Sequence, residues 1–106
     1  MEEKFVYMTT EQVDERKAKI DAIEGLAELR AAIKASEYSN INALRAKYPR
    51  AAAYLEAERW IATENIIKVR LGSRAMEKIL DGEDPETVIQ EMSRGLDAFY
   101  LAQQGD

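Results

Sequence analysis

Only two prolines fall in this 106-residue chain, and each stands where a helix can begin. Pro49 follows Tyr48, which it biases away from helical geometry, while its own fixed φ suits the first position of a new helix. Pro85 follows Asp84, a strong N-cap residue, and precedes Glu86, which suits the positive end of a helix dipole. Sixteen residues are Ala, the best helix former, and only five are Gly. Little else in the composition opposes helix, so the chain is expected to be all-α.

Four helices are predicted, at about 10–36, 39–47, 49–81 and 84–102. The first starts after a Thr cap at Thr9-Thr10 and keeps Val13, Ile20, Ile23, Leu26, Ala27 and Ile33 on one side. Gly25 lies inside that run, as a close helix contact or a bend. A polar break at Glu37-Tyr38-Ser39-Asn40 precedes a short second helix, with Ser39 or Asn40 as its cap. The third carries Leu55, Ala62, Ile66, Val69, Ser73, Met76 and Leu80 in a near-heptad seam, with Asn65 and Ser73 as polar register-setters, and ends at the Gly82 C-cap. The fourth presents Val88, Ile89, Met92, Leu96 and Phe99. The expected core is Leu55, Ala62, Ile66, Val69, Met76, Leu80, Ile89, Met92 and Leu96. Residues 1–8, which show no helical period, read as a flexible arm before a single helical domain at 9–106.

The third helix would have 33 residues from Pro49 to Asp81, about 50 Å at about 1.5 Å per residue. A compact chain of this length has a radius of gyration near 13 Å, so a straight helix would leave part of its seam uncovered. Either it bends at Gly72-Ser73 or a second copy covers it. The expectation is an elongated bundle with one long central helix that forms a homodimer.

With no Cys and no His, the chain lacks disulfides, thiolate and imidazole metal ligands, and Ser-His or Cys-His nucleophilic machinery. A di-iron bundle needs Glu-x-x-His and is excluded too. The remaining acids and bases are ordinary; Glu24 and Glu28 would converge on one helix face, as solvated Glu pairs commonly do. No enzyme activity and no cofactor are therefore expected. No apolar stretch approaches the roughly 20 residues of a bilayer span, so no membrane partner is expected. The Met1-Glu2-Glu3-Lys4 start lacks the basic and apolar regions of a signal peptide, so a cytoplasmic location is expected.

Lys and Arg number 15 against 20 Asp and Glu, a net charge of −5. Residues 1–53 hold nine of each sign and residues 54–106 six against eleven, so the whole deficit is C-terminal. Such a balance disfavours non-specific binding to nucleic acid and leaves a basic protein as the natural partner.

The segment Lys47-Tyr48-Pro49-Arg50-Ala51-Ala52-Ala53-Tyr54-Leu55-Glu56-Ala57-Glu58, with Gly72-Ser73-Arg74-Ala75, Ile79-Leu80-Asp81-Gly82-Glu83-Asp84 and Val88-Ile89-Gln90-Glu91-Met92, resembles small uncharacterised helical proteins of bacterial phages and integrated mobile elements. The resemblance covers roughly the second half and brings no site residues with it. It implies a setting in which small acidic helical proteins bind and inhibit host or defence proteins.

Three groups of residues are candidates for function. Asp81, Glu83, Asp84, Glu86 and Glu91 form an acidic face suited to a basic host or phage protein; their spacing is not that of a calcium loop, and capping accounts for Asp84 and Glu86. Tyr48, Tyr54 and Trp60 cluster at the start of the third helix as core residues or interface anchors. Arg70, Arg74 and Lys78, with Arg59 further back and Arg45, Lys47 and Arg50 near the helix start, form a basic stripe that would follow a phosphate backbone. Local pairing of Arg74 with Glu77 and of Lys78 with Asp81 explains the stripe without nucleic acid. The preferred reading is a protein-interaction module that inhibits its partner; the alternative is a nucleic-acid-binding accessory protein.

Overall fold

The computed structural model describes residues 8–105; the rest of the expected arm, residues 1–7, lies outside that range. Six helices fill it: α1 (Thr10–Asp21), α2 (Leu26–Lys34), α3 (Tyr38–Lys47), α4 (Pro49–Ile61), α5 (Ile66–Leu80) and α6 (Pro85–Gln104). No strand occurs among the described residues. The all-α expectation holds; the count of four and the single long central helix do not.

The first expected helix is two. α1 opens with a capping box, in which Thr9 Oγ1 accepts from Gln12 N–H and Gln12 Oε1 accepts from Thr9 N–H. It stops at Ala22 because Gly25 adopts φ +78°, a left-handed conformation that glycine alone takes freely, and α2 restarts from there. A Cβ on Gly25 would also collide with the ring of Tyr48. The break places Glu24 in the turn and Glu28 on α2, so the expected Glu24/Glu28 face does not form. α3 begins one turn residue earlier than expected, at Tyr38, without a side-chain cap.

The third expected helix also breaks, at Ala62–Asn65 and not at Gly72. The Thr63 hydroxyl donates to the Trp60 carbonyl at 2.8 Å, and Asn65 Oδ1 accepts from the N–H groups of Ile67 and Lys68 to cap α5. Asn65 is therefore an N-cap and Ser73 is exposed; neither sets a register. α4 and α5 fold back on one another as a hairpin. Gly72 lies inside α5, where a Cβ would meet the Ala57 carbonyl oxygen at 2.8 Å and Trp60 Cβ at 2.9 Å, so the missing side chain permits close helix approach. The turn at Gly82 is as expected, with φ +90° and the Gly82 N–H to Ile79 O and Glu83 N–H to Lys78 O bonds of a Schellman motif.

The α4–α5 hairpin is the centre of the core, with α6 against both helices and α2 and α3 against α4. Leu29, Ala51, Ala57, Ile79, Val88 and Met92 are fully enclosed. Of the expected core, Met76 and Met92 are buried, and Leu55, Val69, Leu80, Ile89 and Leu96 are half-buried. Ala62 and Ile66 are exposed, because the break turns them out of the seam. α1 has no fully buried residue; Ile20 packs half-buried against the core, and polar contacts tie the helix to α5: Arg16 with Glu77, Arg16 Nη2 with Met76 Sδ at 3.3 Å, and Lys19 with Asp81 at 3.7 Å. The molecule measures 45 × 39 × 24 Å, a flattened slab and not an elongated bundle.

Candidate interaction groove

α2, α3 and the outer side of α4 enclose an open groove of about 570 Å³. Its apolar wall is Leu29, Ile33, Ile41, Ala52, Leu55 and Ala62, supplied by helices whose register the α2–α3 and α3–α4 turns fix. The first turn is a Schellman motif with Ser36 at φ +56°; the second combines the Tyr48-Pro49 start with the Tyr48 N–H to Leu44 O bond. Ile33 is 47 % exposed there, although it belongs to the apolar series of the first expected helix. Around this wall stand Arg30, Lys34, Arg45 and Arg59 against two carboxylates, Glu56 and Glu58. Arg30 pairs with Glu58 at 3.0 Å and Arg59 with Glu56 at 3.9 Å. Lys34 and Arg45 make no ion pair among the described residues. In a chain of net charge −5, the groove is locally basic.

Tyr54, near the groove's Arg30 and Glu58, is 4 % exposed. Burial holds its phenol above the ordinary range, Glu58 adds to the effect, and the nearby guanidinium groups of Arg16 and Arg30 oppose it. Tyr54 is thus core, not an interface anchor. Tyr48 is half-buried against Gly25 with Lys47 Nζ 5.2 Å from its ring centroid. Trp60 is half-buried too; its Nε1 donates to Glu56 Oε2 at 3.2 Å and Lys68 Nζ sits 5.2 Å from its ring. All three expected anchors are engaged within the fold.

The acidic residues are at the surface, where the sequence places them, yet most are occupied. Asp81 pairs with Lys19, and Glu91 takes Lys78 Nζ at 3.2 Å. Asp84 accepts from the Thr87 N–H at 2.9 Å and its hydroxyl at 2.8 Å, which together hold its carboxyl below the ordinary range. The Glu83 carbonyl, with that of Ile79, accepts from Arg50 Nη1, an arginine cap on the end of α5. Glu83 and Glu86 side chains are exposed and make no ion pair among the described residues. No three acidic side chains there converge as a metal site would require.

The basic stripe is distributed among several roles. Arg50 caps α5, Lys47 covers Tyr48, Arg45 and Arg59 line the groove, and Lys78 pairs across to α6. Glu77 takes Arg16 and not the expected Arg74, and Asp81 takes Lys19 and not Lys78, because α1 lies over that part of α5. Arg70 and Arg74 stay exposed. The sequence reading missed Lys34 as a site residue and Ile33 as an exposed one; the Gly25 break and the α2–α3 turn, which no periodicity reveals, bring them beside α4. No helix among the described residues is long and apolar enough to cross a membrane. No family model, no curated protein and no solved structure matches the chain.

Proposed function

We propose that this chain is a protein-interaction module that uses the α2–α3–α4 groove to hold an amphipathic, acidic helix of its partner. The observation that carries the reading is the joining of an open apolar wall to a basic rim with two cations, Lys34 and Arg45, that have no acidic partner among the described residues. Apolar side chains at i, i+3, i+4 and i+7 of a partner helix would cover Ile33, Leu55 and Ala62, and flanking carboxylates would meet Lys34 and Arg45. The reading departs from the acidic face as the principal contact, since salt bridges and capping already use Asp81, Asp84 and Glu91. Inhibition of a host or defence protein is the role that the resemblance to phage and mobile-element proteins supports, in the cytoplasm of a bacterial host.

The test is a photo-crosslinker at Ile33, used in a bacterial host lysate, with Lys34→Glu/Arg45→Glu as the comparison. Crosslinks to an acidic helical segment that weaken with salt and vanish in the charge-reversed protein are expected. Crosslinking that is absent, or indifferent to charge reversal, overturns the reading. Gel shifts at low salt address nucleic acid separately: retention of DNA or RNA that Arg70→Gln/Arg74→Gln abolishes would favour the basic stripe instead.

A further inference from the structure

A second, smaller depression of about 290 Å³ lies between α5 and α6 on residues that the groove does not use. Its base is Val88 and Met92, 1 % and 2 % exposed, and Gly95, where a Cβ would meet Leu71 Cδ2 at 2.6 Å. Three cations line it, Arg74 and Lys78 from α5 and Arg94 from α6, against the single carboxylate of Glu91. Glu91 is taken by Lys78, so two guanidinium groups from facing helices remain without an acidic partner among the described residues. An anion lying in this depression would be attracted by both positive charges at once.

From this geometry we infer that the α5–α6 notch binds a small organic oxyanion, a phosphate or carboxylate carried on a short apolar body. The planar forks of Arg74 and Arg94 suit two oxygens of one such group, which a lone ammonium does not. Leu71, half-buried and packed over Gly95, presents the apolar surface above the floor of Val88 and Met92, and the Lys78–Glu91 pair closes one side. The site is independent of the groove, since the two share no lining residue.

The experiment follows the Met92 ε-methyl signal of the full chain by NMR during titration with phenyl phosphate, benzoate and inorganic phosphate. A saturable shift with phenyl phosphate, about tenfold weaker in Arg74→Gln/Arg94→Gln and unchanged in Arg70→Gln, is expected from loss of the charge-assisted hydrogen bonds. Stronger binding of phenyl phosphate than of benzoate assigns the group to phosphate, the reverse order assigns it to carboxylate, and inorganic phosphate should bind more weakly than either for lack of an apolar body. The absence of a saturable shift with both aromatic probes, or equal binding by wild type and Arg74→Gln/Arg94→Gln, overturns the site. Because both arginines are exposed and without ion pairs among the described residues, the substitutions spare the fold, and an unchanged far-UV spectrum verifies this.

Discussion

Gly25 shows how one residue governs the arrangement on which the groove depends. It holds φ +78° and receives the Tyr48 ring where a side chain would be, so it fixes both the α1–α2 break and the packing of the α3–α4 turn on it. Gly25→Ala should add left-handed strain to a steric collision, a loss of about 2–4 kcal/mol, to be measured by urea unfolding. A loss no larger than that of an exposed Gly→Ala change would contradict the packing described. Asp84 governs the opposite end through its cap. Its carboxyl is depressed in the folded state, so its stabilisation is present above the unfolded value near 3.8 and is lost as pH falls through the lower folded value. The Tm gap between wild type and Asp84→Ala should therefore be widest near neutrality and close in strong acid; a gap independent of pH would refute the assignment.

Among the elements, those with explicit cap chemistry were legible in the sequence and those ended by side-chain competition were not. Asp84-Pro85-Glu86, Thr9 and Gly82 each appear as start or stop signals, and the structure uses them so. Thr63 and Asn65 carry the same information, since both residue types draw backbone groups away from a helix, yet the apolar series Leu55, Ala62, Ile66, Val69 runs across them without losing phase. That phase is a coincidence of spacing, since Leu55 lines the groove and Ala62 and Ile66 are exposed at the turn, so it does not follow the face that the two arms bury. The acidic cluster was legible as surface, whereas its partners Lys19 and Lys78 depend on which helices become neighbours. α1 illustrates the energetic side of that dependence. With no fully buried residue, a single half-buried apolar contact at Ile20 and polar links to α5, it should exchange its amide protons well before α4 and α5, and Arg16→Ala should accelerate that exchange further. Equal protection of α1 and α5 in native-state hydrogen exchange would show that α1 is held by more than these contacts.

For the whole molecule, the break at Ala62–Asn65 removes the length argument for a homodimer. A continuous helix of about 50 Å would need a second copy to cover its seam. The α4–α5 hairpin instead buries Ala51, Tyr54 and Ala57 of one arm against Ala75, Met76 and Ile79 of the other within one chain. The exposed large apolar side chains among the described residues are spread over the slab: Met8 before α1, Val13 on α1, Ile33 in the groove, Tyr38 at the start of α3, and Ile66 with Tyr100 and Leu101 where the Asn65–Tyr100 hydrogen bond joins α5 to the end of α6. A stable dimer buries roughly 800 Å² on each partner, with an apolar centre, and the largest of these groups has three side chains. Sedimentation equilibrium should accordingly find a monomer at tens of micromolar. A dimer there that Leu101→Glu or Ile66→Glu dissociates would instead place self-association at the α5–α6 end. A dimer disrupted by Ile33→Glu would show that a second copy occupies the groove, leaving it closed to the acidic helix of another protein.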